Sequence, residues 1–254
     1  MTELEYMSDN KPLTDKIALV TGASRGIGAA LALELAKAGA HVVAIARTVG
    51  GLEELDDKIQ AAGGSATLVP LDLKDGEGIA RLALALNERY GRLDVLAGNA
   101  GVLGPLSPLD HVEPKDWDNV MAVNVTANWQ LIRCMNALLV RAEAGRAVFM
   151  TSGVPHRDRA YWGPYAASKA ALEALVRTYA AETAITKVRV NLFSPGPTRT
   201  RMYATAFPGI DPDTLPTADT IAQAIVPLCL PDCTESGKIY DGRAGKFLSF
   251  NAPA

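Results

Sequence analysis

Tyr165 and Lys169 stand four residues apart in the run Tyr165-Ala166-Ala167-Ser168-Lys169. On a helix, positions i and i+4 share one face, so the phenol and the ammonium would point the same way. A free phenol titrates near pH 10 and exchanges protons poorly at neutral pH. A cation beside it favours the phenolate and lowers that value. Such a pair can build a general acid/base for interconverting a carbonyl and an alcohol. A second group of residues points to a bound phosphate. Thr21-Gly22-Ala23-Ser24-Arg25-Gly26-Ile27-Gly28 follows an apolar run and opens a stretch of helical periodicity. Glycines there let the backbone approach a pyrophosphate, and a helix N-terminus offers unpaired N–H groups and the positive end of its dipole. The spacing is G-x-x-x-G-x-G, not the G-x-G-x-x-G of the common dinucleotide fingerprint.

A dinucleotide site also has to select its ribose. NAD-binding sites place a carboxylate about 20 residues past the glycines, where it holds the ribose 2′-hydroxyl. Here the second apolar run ends Ala44-Ile45-Ala46-Arg47-Thr48, with a guanidinium in place of a carboxylate. Arg47, helped by Arg25 in the glycine turn, could hydrogen-bond a 2′-phosphate that a carboxylate would repel.

The elements that must carry these residues follow from the apolar pattern. Short runs recur at Ile17–Thr21, His41–Ala46, Ala66–Leu71, Leu93–Ala97, Ala147–Thr151, Val188–Phe193 and Lys238–Asp241. Between them lie stretches of helical spacing, among them Ile27–Ala38, Leu52–Ala61, Ile79–Tyr90, Trp117–Ala142 and Pro164–Thr183. Strand and helix in turn predict βαβ units. Continuous apolar runs predict parallel strands covered on both faces. The expected fold is α/β, a single doubly wound Rossmann-type domain of about seven parallel strands with helices on both faces. It spans residues 16–254, after a polar extension over 1–15. Arg199–Thr217, rich in Pro, Gly and Asp, is expected as a loop with at most one helical turn, a place where active-site lids occur.

These motifs together resemble the short-chain dehydrogenase/reductase family, in its short branch. The glycine turn is similar to that family's TGxxxGxG, with Gly22, Ser24, Arg25, Gly26, Ile27 and Gly28 as cofactor contacts. The resemblance implies further cofactor contacts at Arg47, Thr48, Asp72 and Leu73, with Asp72 beside the adenine. Asn99, Ala100 and Gly101 match its sheet-stabilising NAG turn. Pro195, Gly196, Thr198 and Thr200 match the PGxxxT segment beside the nicotinamide. Basic residues at the positions of Arg25 and Arg47 imply NADP(H) in preference to NAD(H). Ser152, 13 residues before Tyr165, matches the serine that hydrogen-bonds the substrate oxygen. Tyr165 then protonates that oxygen, Lys169 lowers the tyrosine pKa and binds the nicotinamide ribose, and Asn124 orders a relay water. By family position Val102, Leu103, Val154, Met202 and Tyr203 are apolar pocket candidates. Trp162 either walls that pocket or packs on a neighbouring subunit. The segments around Trp162–Lys169, Arg199–Met202 and Ala206–Pro208 look closest to the YciK-like bacterial branch. The resemblance implies hydride transfer between a carbonyl and an alcohol, and a homo-oligomer, dimer or tetramer, through the two long helices.

Composition narrows the alternatives. The 254 residues are 48% hydrophobic and 21% charged, with a net charge of −3. That balance suits a globular chain and argues against a nucleic-acid partner, which requires a basic face. No apolar run approaches the roughly 18 residues of a membrane span, and the polar start lacks the features of a secretory signal. The cysteines Cys134, Cys229 and Cys233 are expected as reduced thiols in a cytoplasm. The three histidines lack metal-ligand spacing, so no metal is expected. His156, Arg157 and Arg159 could attract an anionic substrate or form a solvated loop. Two other readings stand beside a carbonyl reductase: a non-catalytic NADP(H)-binding sensor or scaffold, and an enoyl reductase. The latter's related branch spaces tyrosine and lysine by seven, where this chain has Leu172.

Overall fold

The computed structural model describes residues 11–250. Eight strands form one sheet: β1 (Ile17–Thr21), β2 (His41–Ala46), β3 (Ser65–Pro70), β4 (Val95–Gly98), β5 (Arg146–Met150), β6 (Arg189–Ser194), β7 (Ile239–Asp241) and β8 (Lys246–Leu248). Their order is β3-β2-β1-β4-β5-β6-β7-β8. All neighbours pair in parallel except β7 and β8. The sequence pattern predicts about seven strands, and β8 is the addition. It is three residues long and mostly exposed, too short for a pattern, and pairs as a hairpin through a turn in which Gly245 takes φ +63.

The sheet is buried on both faces. Ala18 and Val20 of β1 face a core built with α1 (Gly26–Lys37), α2 (Val49–Ala61) and α8 (Ala218–Cys229). Ile17 and Leu19, one residue out of phase, face the opposite core. That core holds α3 (Gly76–Tyr90), α5 (Ala127–Arg141) and α6 (Gly163–Glu182). Period-two alternation between two apolar layers explains why the strands read as unbroken apolar runs.

Two helical stretches differ from expectation. The long helix expected over Trp117–Ala142 begins earlier, as α4 (Pro114–Met121), with Pro114 in its first turn, where no backbone donor is lost. It passes through a π-helical turn at Ala122–Thr126 before α5, and Asn124 sits in that turn. Single π turns of this kind cluster at functional sites. The Arg199–Thr217 segment carries a six-residue helix, α7 (Arg201–Ala206), and a 3-10 turn at Pro212–Thr214. Thr200 starts α7 by accepting the Tyr203 N–H at 3.2 Å, a capping bond available without any apolar periodicity.

The strand order reverses direction between β1 and β4. From β1 the chain winds outward through β2 and β3, and from β4 it winds the other way. The carboxyl ends of the two strands therefore open a crevice, the place where doubly wound sheets bind ligands. Thr21 ties its walls together. Its hydroxyl donates to Ala97 O at 3.2 Å and accepts the N–H groups of Asn99 and Ala100, both at 3.0 Å. The Asn99 amide returns a bond to Thr21 O at 2.9 Å. Replacing this hydroxyl with a methyl strands two N–H groups, at about 1–3 kcal/mol for each one left unsatisfied. Thr21→Val is expected to lower the unfolding free energy by about 2–6 kcal/mol in urea denaturation. An unchanged midpoint would contradict the role given to Thr21.

Candidate active site

The glycine turn lies at the mouth of this crevice. Gly22 and Gly26 take φ +67 and +58, a region that side chains rarely adopt. A Cβ on Gly28 would run into the Asn99 amide and the Gly22 carbonyl, so the first helix can pack this close only on glycine. No side chain caps α1, and its first turn carries no acidic residue. Its leading N–H groups and dipole are thus open to an anion. Arg25, Arg47 and Thr48 are exposed beside the turn, at the ends of β1 and β2. These residues fit a dinucleotide phosphate and, through the two guanidinium groups, a further phosphate on its ribose.

Beyond the third strand, Asp72 is partly exposed and accepts the Lys74 N–H at 3.0 Å, which fixes its carboxylate, and Leu73 is buried. Across the crevice, Gly196 takes φ +71, and Thr198, 3% exposed, donates to its carbonyl at 3.2 Å. Thr200 approaches the glycine turn: a Cβ on Gly26 would lie 3.7 Å from its methyl group.

Tyr165 sits in the first turn of α6, where Pro164 occupies a position that needs no backbone donor. Ser152, just past the end of β5, lies beside the Tyr165 hydroxyl and draws the phenol's pKa down. One helical turn on, Lys169 is 3% exposed, and its Nζ lies 5.7 Å from the Tyr165 ring centroid. The ammonium donates to Met150 O at 2.7 Å. Asn124 is fully buried. Its Oδ1 accepts the Val102 N–H at 2.8 Å, and its amide donates to Val102 O at 2.9 Å and to Ser168 Oγ at 3.0 Å. The Asn124 carbonyl accepts the Asn128 amide at 2.8 Å. Asn124, Ser152, Tyr165 and Lys169 are thus brought together from three separate places, the π turn, the end of β5 and α6.

The electrostatics depart from the sequence expectation in one respect. Burial pushes the Tyr165 phenol up to about 12, against the opposing pull of Ser152. The expected lowering of the phenol by Lys169 is not what the protein alone achieves. Burial also draws Lys169 down to about 8, and Glu173 opposes that fall. Both groups are disfavoured in their charged forms because water has been excluded.

The apolar side of the site is aromatic. Trp162, 8% exposed, meets Tyr165 edge-on at 5.9 Å and stacks on Phe207 at 5.6 Å. Tyr203 lies 4.7 Å from Phe207, and the Arg159 guanidinium lies over both Phe207 and Trp162, at 4.6 and 5.1 Å. Trp162 therefore packs against both Tyr165 and Phe207. Tyr161, before it, takes φ +73, and its carbonyl accepts the Ser107 N–H at 3.0 Å. Strain of this sort persists where the surroundings fix it. Val102, Leu103 and Val154 follow the strand ends partly buried, whereas Met202 is 37% exposed. Arg199 is drawn aside by Asp213 at 3.0 Å. Among the described residues no cluster of three or more metal-ligating side chains occurs. Sequence reasoning missed Phe207 as a wall residue, since its Pro- and Gly-rich surroundings carry no periodicity. It also missed Thr21, and Glu173, which reads as one more polar residue on a helix.

The chain matches the model of the short chain dehydrogenase family over residues 16–210. It is 37% identical to the uncharacterized oxidoreductase YciK of Escherichia coli over 247 residues, 96% of this chain and 98% of YciK. Its fold is similar to that of a short chain dehydrogenase from Shigella flexneri, complexed with NADP, at TM-score 0.86 and 36% identity, covering 92% of this chain and 99% of the other. A short chain dehydrogenase from Escherichia coli CFT073, complexed with NADPH, matches at TM-score 0.84 and 37% identity, over 92% and 99% of the two chains.

The lysine makes the site a stability burden. Its folded-state pKa of about 8 lies below the ordinary 10.5. Between those values the unfolded chain binds a proton that the folded chain has released, so stability rises with pH across that window. Below it the full cost of the buried charge is present. Lys169→Met is expected to be more stable than the wild type at pH 7, by about 1–3 kcal/mol. In chemical denaturation the advantage should shrink as pH rises from about 8 towards 10.5. A variant less stable at every pH would contradict the assignment.

Proposed function

The chain belongs to the short chain dehydrogenase family, and from that membership we propose that it is an NADP(H)-dependent oxidoreductase interconverting a carbonyl and an alcohol by hydride transfer. The observation that carries the reading is the buried Tyr165 phenol beside Ser152, with the Lys169 ammonium one helical turn on and 5.7 Å from its ring. A bound nicotinamide would supply the hydride and, when oxidised, a second positive charge beside the phenol. In the direction of reduction, Ser152 donates a hydrogen bond to the substrate oxygen, and Tyr165 passes its proton to that oxygen as charge develops there. Lys169 holds its ammonium where it favours the phenolate left behind. Asn124 keeps the π turn against Val102 and Ser168, which fixes the far side of the lysine. Trp162 and Phe207 exclude water and offer flat apolar faces, which favours planar carbonyl substrates.

The glycine turn and the open start of α1 take the pyrophosphate. Arg25 and Arg47 support NADP(H) in preference to NAD(H), since no carboxylate follows β2 and both guanidinium groups are exposed there. Similarity to chains complexed with NADP and NADPH supports the same reading. A homo-oligomer is favoured by the outer faces of α5 and α6. Between them lies a groove of about 410 Å³ lined by Trp129, Ile132, Leu175 and Tyr179, with Trp129 44% exposed. No helix among the described residues is long and apolar enough to cross a membrane. The free cysteines support a cytoplasmic location.

Two experiments test the proposal. In an NADPH-consumption assay over a panel of aromatic and aliphatic ketones and aldehydes, Tyr165→Phe is expected to lose at least about 100-fold in kcat while binding NADPH nearly as well as the wild type. Unchanged turnover in that variant would sink the mechanism. Arg47→Asp is expected to weaken NADPH binding at least about tenfold and to leave NADH binding within about twofold, because only the 2′-phosphate meets the introduced carboxylate. Equal losses for both cofactors would contradict the assigned contact.

A further inference from the structure

Glu173 is a buried carboxylate that takes no part in the proton path described above. It is 3% exposed and lies one helical turn beyond Lys169 on α6. Its Oε1 accepts the Thr151 hydroxyl at 2.5 Å, and His156 Nε2 lies 3.2 Å from Oε1 and 3.0 Å from Oε2. Thr151 and His156 bracket Ser152, the first just before it and the second four residues after it. Met150, which receives the Lys169 ammonium, precedes Thr151. The segment carrying Ser152 is therefore fastened to the tyrosine helix at three points, two of them on one carboxylate. A carboxylate is unfavourable in the interior unless hydrogen-bonded and paired, so its partners hold it in one place and it holds them in turn.

We infer that Glu173 is a positioning residue: its carboxylate clamps the Ser152 segment against α6 through Thr151 and His156, one helical turn from Lys169 on the same helix. The groups that face it are few. On its own helix are Lys169 and Arg177, from the end of β5 comes Thr151, and from the following loop comes His156. Arg177 is engaged elsewhere, with its Nε donating to the Glu173 carbonyl at 3.4 Å and its guanidinium lying 4.3 Å from the Phe250 ring. Lys169 has the Tyr165 ring and the Met150 carbonyl beside its ammonium, and the Glu173 carboxylate acts on it from one helical turn away. Burial draws Lys169 down and Glu173 raises it. Removing the negative charge lets the lysine lose its proton at lower pH.

The charge and the clamp separate by substitution. Glu173→Gln keeps an oxygen for Thr151 but removes the charge, and Glu173→Ala removes both. The probe is NADPH itself, titrated by fluorescence from pH 6 to 10 against wild type, both variants and Lys169→Met. Lys169→Met identifies the alkaline loss of affinity that belongs to the lysine. In Glu173→Gln that loss is expected about one pH unit lower than in the wild type. The inference rests on the oxidoreductase reading for its second arm alone. There, Glu173→Ala and His156→Ala are expected to lose about tenfold in kcat with KM for NADPH within about twofold, as the Ser152 segment loosens. An alkaline limb that persists in Lys169→Met, or that does not move in Glu173→Gln, would overturn the inference. Failure of Tyr165→Phe to abolish turnover would overturn the reaction and leave the binding result standing.

Discussion

An ammonium without water is the constraint around which this site is arranged. Lys169 is almost fully buried and is held by a single carbonyl, that of Met150. A charge in that position is costly unless the groups around it stay fixed. The end of β5 must therefore stop where its last carbonyl meets the lysine. Helix α6 must start where its first turn sets Tyr165 against Ser152. The π turn must carry Asn124 to the backbone of Val102. Each placement answers the same electrostatic demand, and together they place a phenol, a hydroxyl and an ammonium along one wall.

The opposite wall depends on close approach. Glycine at position 28 admits the Asn99 amide, which binds Thr21 O, and the Thr21 hydroxyl in turn gathers the turn after β4. The crevice between β1 and β4 exists because the strand order reverses there, and its floor is locked by side chains too short to fill it. An open helix start and two exposed arginines then provide positive potential where phosphate is expected. The two walls differ in kind: one is exposed and cationic, the other buried and aromatic. A dinucleotide bound with its phosphates on the first and its reactive ring on the second would match both.

Much of this was legible in the residues. Parallel strands buried on both faces show as unbroken apolar runs, and the runs at Ile17–Thr21 and His41–Ala46 coincide with strands. The tyrosine–lysine spacing placed both groups on one helix face. Less legible were features set by tertiary contact. The π turn at Asn124 follows from where its side chain must reach, and no local pattern announces it. Phe207 joins the aromatic wall across a stretch of Pro and Gly that resets the chain direction. The pKa of Tyr165 turns on burial, which spacing does not report, and so the expected depression becomes an elevation in the protein alone. Glu173 gains its importance from Thr151 and His156, which are distant in sequence and meet it only after the sheet has formed.

The central claim is that the protein holds a phenol too buried to ionise and that positive charge beside it brings the phenol into range. The most direct test is an ultraviolet difference titration of the Tyr165 phenol, wild type minus Tyr165→Phe, with and without saturating NADP+. In the protein alone the phenol should titrate near 12. With NADP+ bound it should fall to below about 9, as the nicotinamide charge joins that of Lys169. A phenol that stays near 12 with the cofactor bound would contradict that claim.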